Sequence, residues 1–170
     1  MAIEAISGTP FSKVFSSFES KVTDDMFLEM DKTETFSREK EFLVNALHWF
    51  EFPRQDIFDI DTDIDMFAVD LTREEINIIS EYMVVEWLKS QIAIVDVTRM
   101  QYTGADFKMT SQANHMAKLK NMAEHWEKNG FHLQRLYKRR RKNETTGAQN
   151  STFGDIMQSS FDRQKGVWRW

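Results

Sequence analysis

The sequence predicts a mainly α-helical protein, a small bundle of about four helices with a short β-hairpin or extended segments and a C-terminal tail. Apolar residues recur at three- and four-residue steps along several long segments, which is typical of amphipathic helices. The 170 residues include only two prolines and six glycines, which favours long helices over many tight turns. Hydrophobic residues make up 41% of the chain, a fraction sufficient for one packed core.

The first helix is predicted to begin at Thr9 and Pro10, because threonine can cap a helix and proline suits the first helical position. It is expected to continue to about Met30. Its apolar stripe comprises Phe11, Val14, Phe15, Phe18, Val22 and Met26. The outer face is then expected to carry Ser17, Lys21 and Asp24.

The second helix is predicted from Ser37, which can cap it, to Phe50. Its wide apolar face comprises Phe42, Leu43, Ala46, Leu47, Trp49 and Phe50. Pro53 is expected to stop the helix, because a proline disfavours helical geometry in the residue before it.

An acidic stretch follows the second helix. The spacing Asp59-x-Asp61-x-Asp63 matches the first ligands of an EF-hand calcium loop, but that loop also needs glycine at its sixth position and glutamate at its twelfth. Those positions hold Ile64 and Asp70 here, so we expect no metal site. We expect an extended segment with Asp59, Asp61, Asp63 and Asp65 on one face and Ile60, Thr62 and Ile64 on the other.

The third helix has the clearest start in the chain. Thr72 and Glu75 are spaced as a capping box, in which each side chain accepts a hydrogen bond from the free backbone N–H of the other residue. The apolar stripe then comprises Ile76, Ile79, Met83, Val84, Trp87, Leu88 and Ile92. Further apolar residues at Ile78, Tyr82 and Val85 lie outside this stripe, so the helix is expected to be central and covered on more than one side.

Residues 95–110 are predicted to form a short hairpin or an ordered loop, because apolar and polar residues alternate from Thr98 to Tyr102. Ser111 is then predicted to cap a long fourth helix over residues 111–142. Its stripe comprises Met116, Leu119, Met122, Ala123, Trp126, Leu133, Leu136 and Tyr137. Gly130 interrupts this pattern, and both a kink and a break are open at that position.

The composition changes after this helix. We therefore expect two parts, a helical domain over residues 1–142 and an extended C-terminal tail over residues 143–170. A freely solvated tail would gain nothing from large aromatic side chains, so the tail is expected to dock on a partner or on its own domain. The candidate anchors are Phe153, Phe161, Trp168 and Trp170.

The chain lacks the residues and motifs that several kinds of catalytic and metal-binding site require. There is no cysteine, which excludes disulfides, thiolate metal sites and cysteine nucleophiles. The four histidines form no HExxH pattern, and no GxGxxG, Walker-type or GxSxG motif occurs. No apolar run approaches the roughly 20 residues of a membrane helix, and no signal peptide is evident. We expect a soluble intracellular protein that is not an enzyme and has no cofactor.

The net charge of −5 is divided unevenly along the chain. Residues 1–90 hold 20 acidic and 8 basic residues, whereas residues 91–170 hold 7 acidic and 14 basic residues. Such a chain can stack head to tail with copies of itself or meet two partners of opposite charge. The basic cluster Lys138–Lys142 also allows an alternative function, a small DNA-binding protein that contacts phosphates through this helix end.

The order of these parts resembles a known family. The helix that opens LTREE and continues as EYMVVEWL, Leu71 to Leu88, and the segment FKMTSQANH, Phe107 to His115, are similar to motifs of the head–tail connector (adaptor, or neck) proteins of tailed bacteriophages. The resemblance covers roughly residues 10–142.

The resemblance implies a structural virion protein without catalytic activity, assembled in the host cytoplasm and located in the neck. Its subunits form a ring, dodecameric in well-known relatives, that extends the DNA channel below the portal and offers a docking surface to the next neck or tail protein. Contact with DNA is then non-specific, and no membrane is involved. The expected contacts to the portal or a neighbouring subunit are Arg139, Arg140, Arg141, Phe153, Phe161, Trp168 and Trp170. The aspartates Asp59, Asp61, Asp63 and Asp65 are expected to face the channel or a neighbouring subunit.

Overall fold

The computed structural model describes residues 8–22, 30–101, 109–142 and 149–151, with side chains for 8–22, 30–97 and 114–140. Within these residues lie four helices: α1 (Phe11–Glu19), α2 (Lys32–Leu47), α3 (Arg73–Gln101) and α4 (Met109–Arg139). Strand β1 (Ile60–Asp61) pairs antiparallel with β2 (Met66–Phe67), and β3 (Arg140–Lys142) pairs antiparallel with β4 (Gln149–Ser151). The mainly helical fold predicted from the sequence is confirmed.

Helix α3 is the centre of the bundle. It contacts each of the other three helices, and eight consecutive side chains, residues 78–85, are buried. A run of this length includes every side of a helix, so α3 is covered all round over about two turns. The prediction that this helix is central is therefore confirmed.

The capping box at the start of α3 is also confirmed, and Glu75 does more than cap. One oxygen of its buried carboxylate accepts hydrogen bonds from the Thr72 amide at 2.8 Å, the Thr72 hydroxyl at 2.8 Å and the Gln55 amide at 2.9 Å. The other oxygen accepts from the Tyr137 hydroxyl near the end of α4. One carboxylate thus joins the start of α3, the loop after α2 and the end of α4.

The start of α1 differs from the prediction. Pro10 is the N-cap and makes no side-chain cap hydrogen bond, so Thr9 is not the cap. Thr9 instead pairs with the segment around β2: its backbone bonds to Val69 at 3.1 Å and Phe67 at 2.9 Å, and its hydroxyl accepts from the Leu71 amide at 2.8 Å. Its hydroxyl thus satisfies a buried N–H ahead of α3 instead of a free N–H of α1.

The end and the outer face of α1 were also predicted wrongly. The helix ends at Glu19, well before Met30, and Asp24 lies outside the described residues. Lys21 points inward, where its ammonium lies 3.1 Å from Glu81 and donates to Ser80 at 2.6 Å. The apolar stripe identified one buried face of α1, whereas α3 also covers part of its polar side.

Helix α2 begins at Lys32 rather than Ser37 and ends at Leu47 rather than Phe50. The early start has a packing reason, since Phe36 lies edge-on to Phe15 of α1 with ring centroids 5.2 Å apart. Phe50 remains buried after the helix ends and packs edge-on against Tyr137 of α4.

The hairpin or loop predicted over residues 95–110 is wrong where the structure describes it, because α3 continues to Gln101. Helix α4 already includes Ser111, which is therefore not a cap, and it passes Gly130 without a break. It ends at Arg139, and residues 140–142 form β3 instead of a last helical turn. Packing of α3 along α4 stabilises helix where the local pattern favoured a strand.

We predict that Glu75→Ala destabilises the fold by about 2–4 kcal/mol, because it removes the cap and leaves the buried Tyr137 hydroxyl without its acceptor. The matched control is Glu74→Ala, which removes only the exposed ion pair with Arg140 and is expected to cost under about 1 kcal/mol. Urea denaturation followed by circular dichroism measures both. Equal losses for the two variants would contradict the role assigned to Glu75.

Candidate functional site

The acidic stretch forms a hairpin rather than one extended strand. Residues 62–65 turn the chain between β1 and β2, and the Asp61 carboxylate accepts the amides of Asp63 at 2.9 Å and Ile64 at 3.3 Å. Asp65 has a positive φ of 54° and its carboxylate lies 2.6 Å from the Lys40 ammonium of α2. The predicted alternation of faces is therefore wrong: Asp59, Asp61 and Asp63 are exposed beside Ile64, whereas Asp65 is half-buried and paired.

The part of the chain that the structure describes holds no group of three or more histidine, aspartate or glutamate side chains placed to bind a metal ion. None of its helices is both long and apolar enough to span a membrane.

The basic cluster is built into the end of α4. Arg140 lies 2.6 Å from Glu74 in the first turn of α3, and the Lys138 ammonium lies 3.9 Å from the Phe52 ring centre. Arg54 stacks on the Tyr137 ring at 4.1 Å and donates to the carbonyls of Tyr137 and Arg140. Part of the charge on this cluster thus holds α4 against its neighbours.

A cationic cleft of about 600 Å³ lies among the end of α1, the start of α3 and the end of α4. Lys21, Arg73 and Arg140 line it, against the single carboxylate of Glu74, with leucines of α4 forming an apolar wall. Burial lowers the pKa of Lys21, and the nearby Glu81 carboxylate opposes this shift. The sequence did not indicate this cleft, because its lining residues run from Ser17 to Arg140, up to 123 positions apart.

An aromatic cleft of about 380 Å³ lies between the end of α2 and the middle of α4. It is lined by Trp49, Glu51, Tyr82, Glu127, Lys128 and Phe131. The rings of Trp49 and Tyr82 stack with centroids 5.9 Å apart and an angle of 11° between them, while Phe131 is 46% exposed. Burial raises the pKa of the Tyr82 hydroxyl, and the charges of Glu51 and Glu127 raise it further, so both carboxylates act on the same ring.

Gln134 holds this cleft together. Its amide nitrogen donates to the Trp49 carbonyl at 2.8 Å and to the Tyr82 hydroxyl, and its oxygen accepts from the Glu51 amide at 2.9 Å. Gly130 lets α4 approach closely, since an added Cβ would lie 2.9 Å from the Tyr82 ring. A glycine inside a long helix was the one sequence signal for this contact, and it indicates close packing rather than a kink or a break.

The outer halves of α3 and α4 form a helical arm, defined here as residues 89–101 and 109–123. Ile94 and Val97 of this arm are 45% and 55% exposed, and Met122 is 46% exposed. Ile94 follows the buried Met83 by 11 residues, about three helical turns, so the two side chains lie on the same face. The face of α3 that is buried at Met83 is therefore partly exposed to solvent where the same face reaches Ile94 on the arm.

A buried carboxyl lies between α1 and α2. Glu39 is 3% exposed, and its Oε1 has no hydrogen-bond partner among the described residues. Burial raises the pKa of Glu39 to about 7, and the charge of Glu19 and a hydrogen bond with it add to the shift.

The predicted tail anchors Phe153, Phe161, Trp168 and Trp170 lie outside the described residues, as does the side chain of Arg141. Arg139 and Arg140 are neighbours at the end of α4. Among the described ion pairs, Arg140 pairs with Glu74 and Asp65 with Lys40, and none joins these arginines to the hairpin aspartates.

Comparison with known proteins identified no relative: no family model, no curated protein and no solved structure matches this chain significantly.

We predict that Gly130→Ala destabilises the protein by about 1–2 kcal/mol, because the new methyl group displaces a Tyr82 ring held by Gln134 and Trp49. In an open helix the same change would stabilise by up to about 1 kcal/mol. The control Lys120→Ala, at an exposed position of α4, should alter stability by less than about 0.5 kcal/mol. A higher melting temperature for Gly130→Ala would show that α4 does not approach Tyr82 this closely.

We predict that stability falls as the pH rises from 4.5 to 7. The folded state keeps the Glu39 proton up to a pKa of about 7, whereas the unfolded chain releases it near 4.5, so the contribution present below pH 4.5 is lost as the pH passes 7. Glu39→Gln removes this titration and should exceed the wild type at pH 8 by about 1–3 kcal/mol, with little difference at pH 4.5.

Denaturation curves at both pH values measure this difference, with exposed Glu41→Gln as the control on the same helix. A parallel pH profile for the wild type and Glu39→Gln would contradict the assignment.

Proposed function

We propose that this chain is a structural subunit of a phage neck ring, located in the virion between portal and tail. The ring extends the DNA channel and provides the docking surface for the next neck or tail protein. The proposal rests on the resemblance in residues 71–88 and 107–115, and on one structural observation, the exposed apolar face of the helical arm.

The arm supports self-assembly because three of its apolar side chains are about half exposed in the subunit on its own. Ile94, Val97 and Met122 continue a helical hairpin beyond the part of α3 that α1 and α2 cover. Exposed apolar side chains on one pair of helices favour a surface that another protein covers. In a ring, the covering surface is the body of the next subunit.

The distribution of charge supports a head-to-tail contact. A ring needs a heterologous interface, in which two different surfaces of the subunit meet and the rotation closes. Exposed Asp59, Asp61 and Asp63 lie on the β1–β2 hairpin. The cationic cleft carries the exposed Arg73, while its Lys21 and Arg140 are already paired with Glu81 and Glu74. Surfaces of opposite charge on one subunit favour such an arrangement and fix its direction.

In this function the chain carries out no reaction and needs no cofactor. Arg139–Arg141 and the tail aromatics serve as contacts to the portal or to a neighbouring subunit, and twelve copies match the rings of the resembled family. Aspartates that face the channel would keep the passing duplex from binding.

The alternative, DNA binding through residues 138–142, gains no support from the described contacts. Arg140 pairs with Glu74, and Lys138 lies over the Phe52 ring, so these cations are partly used within the subunit. A DNA-binding function would require salt-dependent affinity for free duplex DNA with a slope that reflects several phosphates.

We predict that Val97→Glu/Met122→Glu abolishes assembly on the portal without unfolding the subunit. Both positions are exposed, so the monomer should retain its helical circular dichroism, whereas burial of two carboxylates in an apolar contact is strongly unfavourable. Co-sedimentation with a purified portal ring measures the copies bound per portal. We expect about a tenfold loss of bound subunit or more.

The matched control is Ala117→Glu/Asn121→Glu, which adds the same charge at exposed positions of α4 that lie about 100–140° round the helix from Met122. It should bind as the wild type does. If the apolar-face variant binds as many copies as this control, the arm is not an assembly surface.

A further inference from the structure

The aromatic cleft has the properties of a preformed receiving site. Trp49 is fixed by a hydrogen bond from its indole nitrogen to Glu86 at 2.8 Å, and the Tyr82 hydroxyl is held by Gln134. Side chains held in this way lose little conformational entropy when a ligand binds. The exposed Phe131 ring completes an aromatic surface that the subunit itself leaves partly open.

The charges of this cleft select a cationic ligand. Glu51 and Glu127 are exposed and both line the cleft. The one cation in the lining, Lys128, is exposed and paired with Glu124 at 3.3 Å, a weak surface ion pair that can move aside. Aromatic faces bordered by carboxylates favour arginine or lysine side chains, together with aromatic rings that stack beside them.

The Trp49 ring already shows this preference. The ammonium of Lys89 lies 4.0 Å over its ring centre and the Tyr82 ring also stacks on this indole, so the exposed ring of the cleft is that of Phe131. The cleft therefore suits an extended peptide in which cations and aromatic residues alternate and acidic residues are absent.

The chain carries one such segment. Residues 163–170, RQKGVWRW, hold Arg163, Lys165 and Arg169 together with Trp168 and Trp170, and no acidic residue. This segment lies outside the described residues, and its composition complements the cleft in both charge and aromatic content. A contact between it and the cleft joins two different surfaces of the subunit, as ring closure requires.

We propose that the aromatic cleft binds residues 163–170 of a second copy of this chain. This inference rests on the proposed ring in choosing the second copy, and it names the receiving surface for Trp168 and Trp170. The tail of each subunit then crosses to the body of the next, with its cations between Glu51 and Glu127 and its tryptophans against the exposed Phe131 ring.

The test is a titration of full-length protein into a fluorescently labelled peptide of residues 163–170, acetylated and amidated so that its ends carry no charge. Fluorescence anisotropy should show saturable binding. Glu51→Lys/Glu127→Lys should weaken it at least about tenfold, since both rim charges are reversed. The control Glu34→Lys/Glu41→Lys makes the same charge change at exposed positions of α2 and should bind as the wild type does.

A second experiment distinguishes a tail bound from another copy from a tail bound within the same chain. Full-length Trp168→Ala/Trp170→Ala should bind the peptide with the same affinity as the wild type, measured at concentrations where both are monomeric. If the wild type binds the peptide about tenfold more weakly, its own tail occupies the cleft, and the proposed second copy is wrong. Absence of peptide binding, or equal binding by the reversed-rim variant, overturns the site itself.

These outcomes are independent of the portal. A chain that binds the peptide at the cleft yet never associates with a portal ring would contradict the neck function and leave the cleft assignment intact. If the chain assembles on the portal but Glu51→Lys/Glu127→Lys binds the peptide as the wild type does, the cleft assignment is contradicted and the neck function is not.

Discussion

The buried carboxylate of Glu75 is the contact on which the arrangement of the helices depends. It accepts four hydrogen bonds, from the start of α3, from Gln55 in the preceding loop and from Tyr137 of α4. A buried carboxylate is tolerated only where such donors surround it, so these three segments must meet at one point. Once α4 is fixed at Tyr137, the antiparallel pairing brings Gln134 to Tyr82 and Asn129 to Glu81 farther along α3.

The surfaces with a candidate function follow from this pairing. The cationic cleft lies beside Glu75, where α1, α3 and α4 converge, and the aromatic cleft lies farther along, where α2 ends against α4. The helical arm is the part of the same helix pair that extends past the shorter helices α1 and α2. A single long α3–α4 hairpin thus presents three different surfaces, and different surfaces on one subunit are what a heterologous ring contact uses.

Much of the core was predictable because it depends on local patterns. The Thr72–Glu75 spacing and the buried run of α3 need only neighbouring residues, and both are confirmed. Thr9 and Lys21 were assigned wrongly because their partners, Leu71 and Glu81, are about 60 residues away. The aromatic cleft was missed for the same reason: it needs α2, α3 and α4 together, and only Gly130 gave a local sign of it. The tail anchors remain predictions.

The most direct test of the proposed neck function is cryo-electron microscopy of the wild-type protein mixed with a purified phage portal ring. The account predicts a closed ring of this chain, twelvefold and coaxial with the portal, in which the arm of each subunit packs against the next. Portal rings that stay bare while the added chain remains a folded monomer at saturating concentration would contradict it.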